Sequence, residues 1–327
     1  MALPTYRNNG STIAGLLKSL ESQTYRDFTV LILYKPSEGD RTLEVVEEFQ
    51  RRIDLQVKFQ ERGHFEEALN AIYSTSSADI LITTDDDALP SRTWVEDHVK
   101  VHEEFSDAGV VAGKVVSSSR KTGTERIGGG LGARVYQRLL EPPIEEGMRD
   151  FQEYIAVSGL LVKNGLGRKG LSANLIFNPI GVNMSVKREV YGGFQLIPMT
   201  LRGIGNEPQL CLHAYRRGMP CVRPTGKSPE VSHLERDSLS RPRDARGIRE
   251  RFAELALLPY VVSRHYEIDL LRLELDVRLR LMLWRWRAKT WVELEKIRGM
   301  REGLRITSRA IRERRDPQWI RERLGEV

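Results

Sequence analysis

An α/β fold, doubly wound around a mainly parallel sheet and followed by a helical appendage, is what this sequence of 327 residues predicts. Three observations carry that reading. Short apolar runs alternate with amphipathic stretches of helical spacing across residues 11–116, and the connections between them are short, which favours strand–helix–strand units over hairpins. From residue 238 onward glycine becomes sparse, and Arg, Glu and Leu dominate.

The elements follow in order. Residues 11–23 have apolar positions at helical spacing behind a Ser/Thr cap, and residues 28–33 (FTVLIL) form a buried-strand run. The pattern repeats as helix 42–52, strand 55–59, helix 66–74 and strand 80–84, then helix 94–105 and strand 110–116. Periodicity is lost over residues 117–147, which read as a long loop near the site. Residues 176–186 and 221–222 are further strand candidates, and helix 207–217 is ended by Gly218. Residues 271–286 alternate apolar and charged like a strand, but a strand of that length is unusual and Leu, Arg and Glu are helix formers, so a helix is expected. The implied organisation is an α/β domain over 1–237 and a basic helical region over 238–327.

The composition, 40% hydrophobic and 29% charged, is that of a folded globular chain rather than a disordered or spanning one. No run approaches the ~20 apolar residues of a membrane span, and no charged-then-apolar leader opens the sequence. Cys211 and Cys221 match neither a metal pair nor a disulfide framework and read as buried thiols. A cytoplasmic protein is expected, either free or peripheral on the inner face of the membrane. The net charge of +6 is concentrated in residues 236–251 and 278–323, which suits phosphate or anionic lipid and makes nucleic acid the weaker choice. Trp284, Trp286, Trp291 and Trp319 lie among those arginines, so the region reads as a peripheral membrane contact or as an oligomerisation surface.

Asp85, Asp86 and Asp87 are the densest chemical signal. Three adjacent carboxylates repel unless a cation, water or strong donors offset them. One reading is a polar helix cap on a solvated turn. The other is a metal site, because ligands gather beyond the carboxyl ends of strands in such sheets and these residues follow a buried strand. Gly128, Gly129, Gly130 and Gly132 lack the preceding strand and following acid of a dinucleotide loop and read instead as a loop on the acceptor side.

Several stretches, taken in order, resemble the family 2 glycosyltransferases. Leu3-Pro4-Thr5-Tyr6-Arg7-Asn8 resembles the family's opening "IPTYNR" loop, and LLKSLESQTYRDF its following helix. Asn70 stands at the family's spacing before ITTDDDALP, which resembles the acidic metal motif. Gly181-Val182-Asn183-Met184-Ser185-Val186-Lys187-Arg188 resembles "G-x-N-M-x-x-R-R", Asn206-Glu207-Pro208-Gln209-Leu210-Cys211-Leu212 resembles "E-D-x-x-L-C-L", and His233 falls where a histidine is usual. The resemblance spans residues 2–235.

The resemblance implies the GT-A fold and transfer of a sugar from a nucleoside diphosphate to an acceptor hydroxyl, with inversion. It implies a divalent metal, Mn2+ or Mg2+, and a glycan or lipid-linked acceptor. Asp87 is then the direct metal ligand with His233 completing the shell or touching phosphate, Asp85 lies on the ribose side, and Asp86 takes either role. Pro4, Thr5 and Tyr6 line the nucleotide, while Asn183, Met184 and Asn206 face the acceptor; Leu69 replaces an often basic residue, and Arg62 either serves on the nucleotide in its stead or is simply solvated. Glu207 is the general base, although a glutamate replaces the family's aspartate and Asn206 its preceding acid. As bland readings, Glu207 complements a helix dipole and His233 is an ordinary loop histidine. No acid stands at the usual place in residues 34–40, which leaves the nucleotide base open. A sugar-1-phosphate nucleotidyltransferase and a non-catalytic binding protein of the same fold are the competing functions.

Overall fold

The computed structural model describes residues 1–116, 131–164, 172–234 and 241–327. The chain forms two compact units, the first from Met1–Arg120, Lys169–Leu196 and Leu210–Glu235, the second from Lys121–Arg168, Ile197–Gln209 and Arg236–Val327.

The chain opens with β1 (Ala2–Tyr6), α1 (Ile13–Glu21), β2 (Val30–Lys35), α2 (Thr42–Phe49), β3 (Leu55–Phe59), α3 (Phe65–Thr75) and β4 (Ile80–Thr83). Next come β5 (Ala88–Pro90), α4 (Trp94–Glu104), β6 (Val110–Ala112) and β7 (Lys114–Val116). Helix α5 (Leu131–Leu140) and the hairpin β8 (Glu153–Ile155) and β9 (Leu161–Lys163) precede β10 (Ala173–Ile176), β11 (Met184–Lys187) and α6 (Arg188–Tyr191). The remainder is α7 (Asn206–Arg216), β12 (Cys221–Pro224), β13 (Glu230–His233), α8 (Ala245–Glu254), α9 (Leu258–Ser263), α10 (Leu270–Arg287), α11 (Trp291–Arg312) and α12 (Pro317–Gly325).

The main sheet of the first unit runs β10-β12-β6-β11-β4-β1-β2-β3. Strands β4, β1, β2 and β3 are parallel neighbours, whereas β11 is inserted antiparallel between β4 and β6. The chain leaves β1 toward β2 and β3, then returns to β4 on the other side of β1. That reversal opens a crevice beyond the carboxyl ends of β1 and β4, the place where open α/β sheets take ligands. Ile13, Leu16, Leu17 and Leu20 recur at helical spacing on α1 and are fully buried with Leu3 and Ile32 of the sheet. A smaller sheet, β5-β13-β7, is built beside it.

Several local expectations change. Thr12 stands at the N-cap of α1, yet its side chain does not cap the helix. Asn8 does so, its Oδ1 accepting from the amides of Thr12 and Ile13 at 3.2 and 3.3 Å. The run 110–116 is two strands in two sheets, parted at Gly113, whose absent side chain leaves room for Asn183. The stretch 176–186 is likewise broken, by a single turn at Gly181–Asn183 between β10 and β11. Residues 131–140, expected as loop, are helix α5. Its Tyr136 hydroxyl donates to Asp276 of α10, and neighbouring Glu141 takes Arg280, partners that local periodicity does not reveal. Gly128 to Gly130 lie outside the described residues.

The second unit is mostly helical. Ala253, Leu257 and Tyr260 pack with Ile306, Ala310, Ile320 and Leu324 in one cluster, and Leu273, Val277 and Leu281 of α10 pack with Ile297 and Leu304 of α11 in another. Helix α10 settles the period-two ambiguity of residues 271–286 in favour of a helix. Helices α8 and α11 meet backbone to backbone: a Cβ at Gly299 would lie 2.2 Å from the Arg249 carbonyl, and one at Gly303 2.2 Å from that of Ala253. Backbone cannot swing aside as a side chain can. Gly303→Ala should therefore lower stability by about 3 kcal/mol, whereas Gly325→Ala, with open space around it, should stay within about 0.5 kcal/mol of the parent. Urea unfolding of both variants measures the contrast.

Candidate functional site

The three aspartates leave the end of β4 in a tight turn, closed by the Ala88 amide donating to the Asp85 carbonyl at 3.2 Å. The turn sends their side chains apart. Asp86 points to the neighbouring β1, where Thr5 Oγ1 donates to its Oδ2 at 2.5 Å. Burial raises its pKa to about 6, helped by the charges of Asp87 and Asp40 and resisted by hydrogen bonds from Thr5 and Asn8. Asp85 and Asp87 turn instead toward His233, the last residue of β13. His233 Nε2 lies 2.9 Å from Asp87 Oδ1 and 3.7 Å from Asp85 Oδ2. The register of β13 on β5 makes His233 the cross-strand partner of Ala88, and the Leu234 amide donates to the Asp87 carbonyl at 3.1 Å. Backbone pairing thus brings residues 146 apart in sequence together.

Asp85, Asp87 and His233 each offer one ligand atom, and these atoms lie within 4.8 Å of one another. Two carboxylate oxygens and an imidazole nitrogen converging at that spacing fit a divalent cation of the Mn2+ or Mg2+ kind, which takes oxygen ligands and tolerates imidazole. Asp85, expected on the ribose side, belongs to this group, while Asp86 faces Thr5.

The other expected residues fall in different places. Pro4 and Tyr6 close β1, with the Tyr6 ring exposed and carrying the Arg7 guanidinium at 4.8 Å and the Lys35 ammonium at 5.1 Å from its centre. Arg62 is exposed between β3 and α3. Asp40, an acid that motif spacing did not point to, accepts from the amides of Asn9 and Thr42 at 3.1 and 2.9 Å and adds its charge to the surroundings of Asp86.

Asn183 and Met184 are buried rather than open to a ligand. Asn183 Oδ1 accepts from Trp94 Nε1 at 2.8 Å and His98 Nε2 at 3.0 Å, and its amide nitrogen donates to the carbonyls of Lys114 and Pro229 at 2.8 and 3.0 Å. The acceptor role of Asn183 Oδ1 makes His98 Nε2 the protonated nitrogen. His98 Nδ1 then accepts from Ser185, whose hydroxyl accepts from His102 Nε2, both at 2.9 Å. One asparagine thereby ties α4, the β6–β7 junction and the approach to β13 together. Trp94, His98 and His102 stand at four-residue intervals, a buried polar stripe on a helix that signals a polar partner elsewhere in the fold.

Burial lowers the pKa of His98 to about 3 and of His102 to about 4. Both are neutral in the native protein, while the unfolded chain protonates them below their ordinary value near 6.5. Their contribution is complete above that value and is lost as pH falls through the window down to about 4. Each costs about 1.4 kcal/mol per pH unit there, while the raised Asp86 works in the opposite direction. The expected net loss between pH 7 and pH 5 is about 2–3 kcal/mol. Urea midpoints at the two pH values test it, and a flat profile would contradict it.

Asn206 and Glu207 start α7 and belong to the second unit. Asn206 is buried, its amide nitrogen donating to the Gly203 carbonyl at 3.0 Å. The preceding loop is held by α8: buried Glu254 accepts from the amides of Leu201, Arg202 and Ile204 at 2.7, 2.9 and 3.1 Å. Glu250 pairs with the Arg202 guanidinium at 2.8 Å. Sequence reading missed both glutamates, because nothing local marks a helical carboxylate as the anchor of a loop some fifty residues earlier.

The fold is similar to that of residues 1–349 of S. aureus TarS solved with UDP-GlcNAc, at 14% identity and a TM-score of 0.56, over 99% of this chain and 90% of that one. It is similar as well to GalNAc-T7 solved with UDP, GalNAc and Mn2+, at 12% identity and a TM-score of 0.57, over 95% of this chain and 56% of that one. At such identities the likeness is one of fold, and it bears out the α/β arrangement with C-terminal helices. No curated protein sequence matches the chain significantly. The sequence model of glycosyl transferase family 2 matches residues 2–173, more than half of the chain, including the loop after β1 and the turn that carries the three aspartates; the chain belongs to glycosyl transferase family 2.

Proposed function

We propose that this protein is a metal-dependent, inverting glycosyltransferase that moves a sugar from a nucleoside diphosphate to an acceptor hydroxyl. The convergence of Asp85, Asp87 and His233 beyond the carboxyl end of β4 is the observation that carries the proposal. Those three residues would hold the cation, which when bound supplies charge neutralisation for the departing diphosphate. Thr5 and Asp86 form the wall toward the nucleoside, with Pro4 and Tyr6 beside them. Asn183 and Met184 support the site from beneath rather than touching a substrate.

In the transfer, the acceptor oxygen bonds to the anomeric carbon while the bond from that carbon to the diphosphate oxygen breaks. The bonding pair leaves with the nucleoside diphosphate. The hydroxyl proton passes to a carboxylate oxygen of Glu207, and a single displacement inverts the anomeric centre. Support for Glu207 comes from its place in the family's helix-start motif, in the first turn of α7. The acceptor is a glycan or a lipid-linked sugar.

Both structural relatives were solved with uridine nucleotides, so UDP-sugars head the panel of donors to test. Thermal unfolding with nucleotide sugars, each with and without Mn2+ or Mg2+, is the experiment. A hundredfold excess over Kd should stabilise the chain by about 2.7 kcal/mol, only with metal present and accompanied by slow donor hydrolysis. Absence of metal-dependent stabilisation across the panel would overturn the proposal.

A further inference from the structure

Helix α10 is apolar on two sides. Its buried side, Leu273, Val277 and Leu281, faces α11. The other side displays Leu271, Leu275, Leu279, Met282, Leu283 and Trp286 to solvent, with exposures of 70%, 43%, 37%, 61%, 43% and 84%. At 100° per residue these six fall within one third of the circumference, opposite the buried side. A water-soluble helix normally presents charge there.

The exposed charges beside the C-terminal half of this stripe are basic. Arg278 and Arg285 border one edge and Arg287 the other, Arg272 lies within it, and from residue 278 to Trp291 there is no acidic residue. The two nearby acids are already engaged: Glu274, beyond Arg278 and Arg285 on the first edge, pairs with Arg278 and Arg312, and Asp276, on the other, is buried and pairs with Arg280. At the C-terminal end Trp286 is joined by Lys289 and by Trp291, itself 55% exposed. Among the described residues no helix is long and apolar enough to cross a membrane, and α10 in particular is broken by arginines at close intervals. An apolar stripe edged by arginines and ended by tryptophans fits the boundary between headgroups and acyl chains, where indole rings settle and basic side chains reach phosphate.

We propose that the outward face of α10 docks on a lipid bilayer surface carrying anionic headgroups. A second copy of the chain is the other apolar surface at hand, but self-association through this face would set two arginine-bordered stripes against each other. An anionic bilayer complements the same charges. The inference rests on exposure and charge in the second unit and stands independently of the transfer chemistry.

The test is flotation of the full chain at low salt with vesicles of phosphatidylcholine alone and of phosphatidylcholine mixed with phosphatidylglycerol. Binding is expected to the mixed vesicles only, with a blue shift of tryptophan emission, and to weaken as salt is raised. Met282→Ser combined with Trp286→Ser should reduce partitioning by about a hundredfold, and Arg285→Glu combined with Arg287→Glu by about tenfold or more. All four side chains are solvent-facing, and unchanged thermal unfolding shows that each variant remains folded. The proposal is overturned if the parent chain stays unbound with the mixed vesicles, or if either pair of substitutions leaves flotation unaltered. It is overturned equally if the parent is a dimer that Met282→Ser with Trp286→Ser renders monomeric while vesicles are ignored.

Discussion

Asp87→Ala is expected to abolish metal-dependent donor binding and to lower kcat/KM by about a thousandfold. Asp87 sits at the centre of the candidate centre: its Oδ1 is 2.9 Å from His233, and its backbone carbonyl is fixed by Leu234. Removing the carboxylate leaves Asp85 and His233 as two ligands with no third donor of the group. Because the backbone hydrogen bond does not depend on the side chain, the turn should survive and the unfolding temperature without donor should change little. Calorimetric titration of Mn2+ and of nucleotide sugar separates the two readings of the aspartate cluster. A polar cap alone would cost stability and leave metal-dependent nucleotide binding intact, which would end the metal assignment.

Glu207→Gln carries the second large effect. The amide matches the carboxylate in shape but cannot take a proton near neutral pH, so sugar transfer should fall by about 10²–10⁴-fold while donor affinity is retained. The loss should appear in kcat rather than in the donor KM. Glu207→Asp restores a proton acceptor at a reach shorter by one methylene and should recover part of the rate. Transfer at the parental rate in Glu207→Gln would remove the base assignment without touching the metal proposal, since the two residues belong to different units.

Much of the first unit was legible from residues alone, because its signals are local. Strand runs, amphipathic helices and three carboxylates at a strand end can be read within a few residues of chain, and the crevice follows from their order. Motif order also named Thr5, Asp86, Asp87 and His233, which hydrogen bonds join in two pairs. What escaped was long-range. Asn183 has the look of a ligand-facing residue until its four partners are known, and all four lie at least 46 residues away. Its cue was the stripe Trp94, His98 and His102, polar where α4 should be apolar. Gly299 and Gly303, at a four-residue interval, carried the clue to the tight crossing of α8 and α11. Helix α5 had no comparable cue, since its anchors Asp276 and Arg280 lie about 140 residues onward.

Glu254 gives the C-terminal helices a meaning that a boundary drawn at residue 237 conceals. The loop leading into Glu207 hangs from that one buried carboxylate by three amides. A gene shortened or spliced ahead of α8 would keep every aspartate of the β4 turn, yet it would orphan the segment that introduces the proposed base, Glu207. Helix α8 thus serves as the scaffold of a loop that precedes it by some fifty residues.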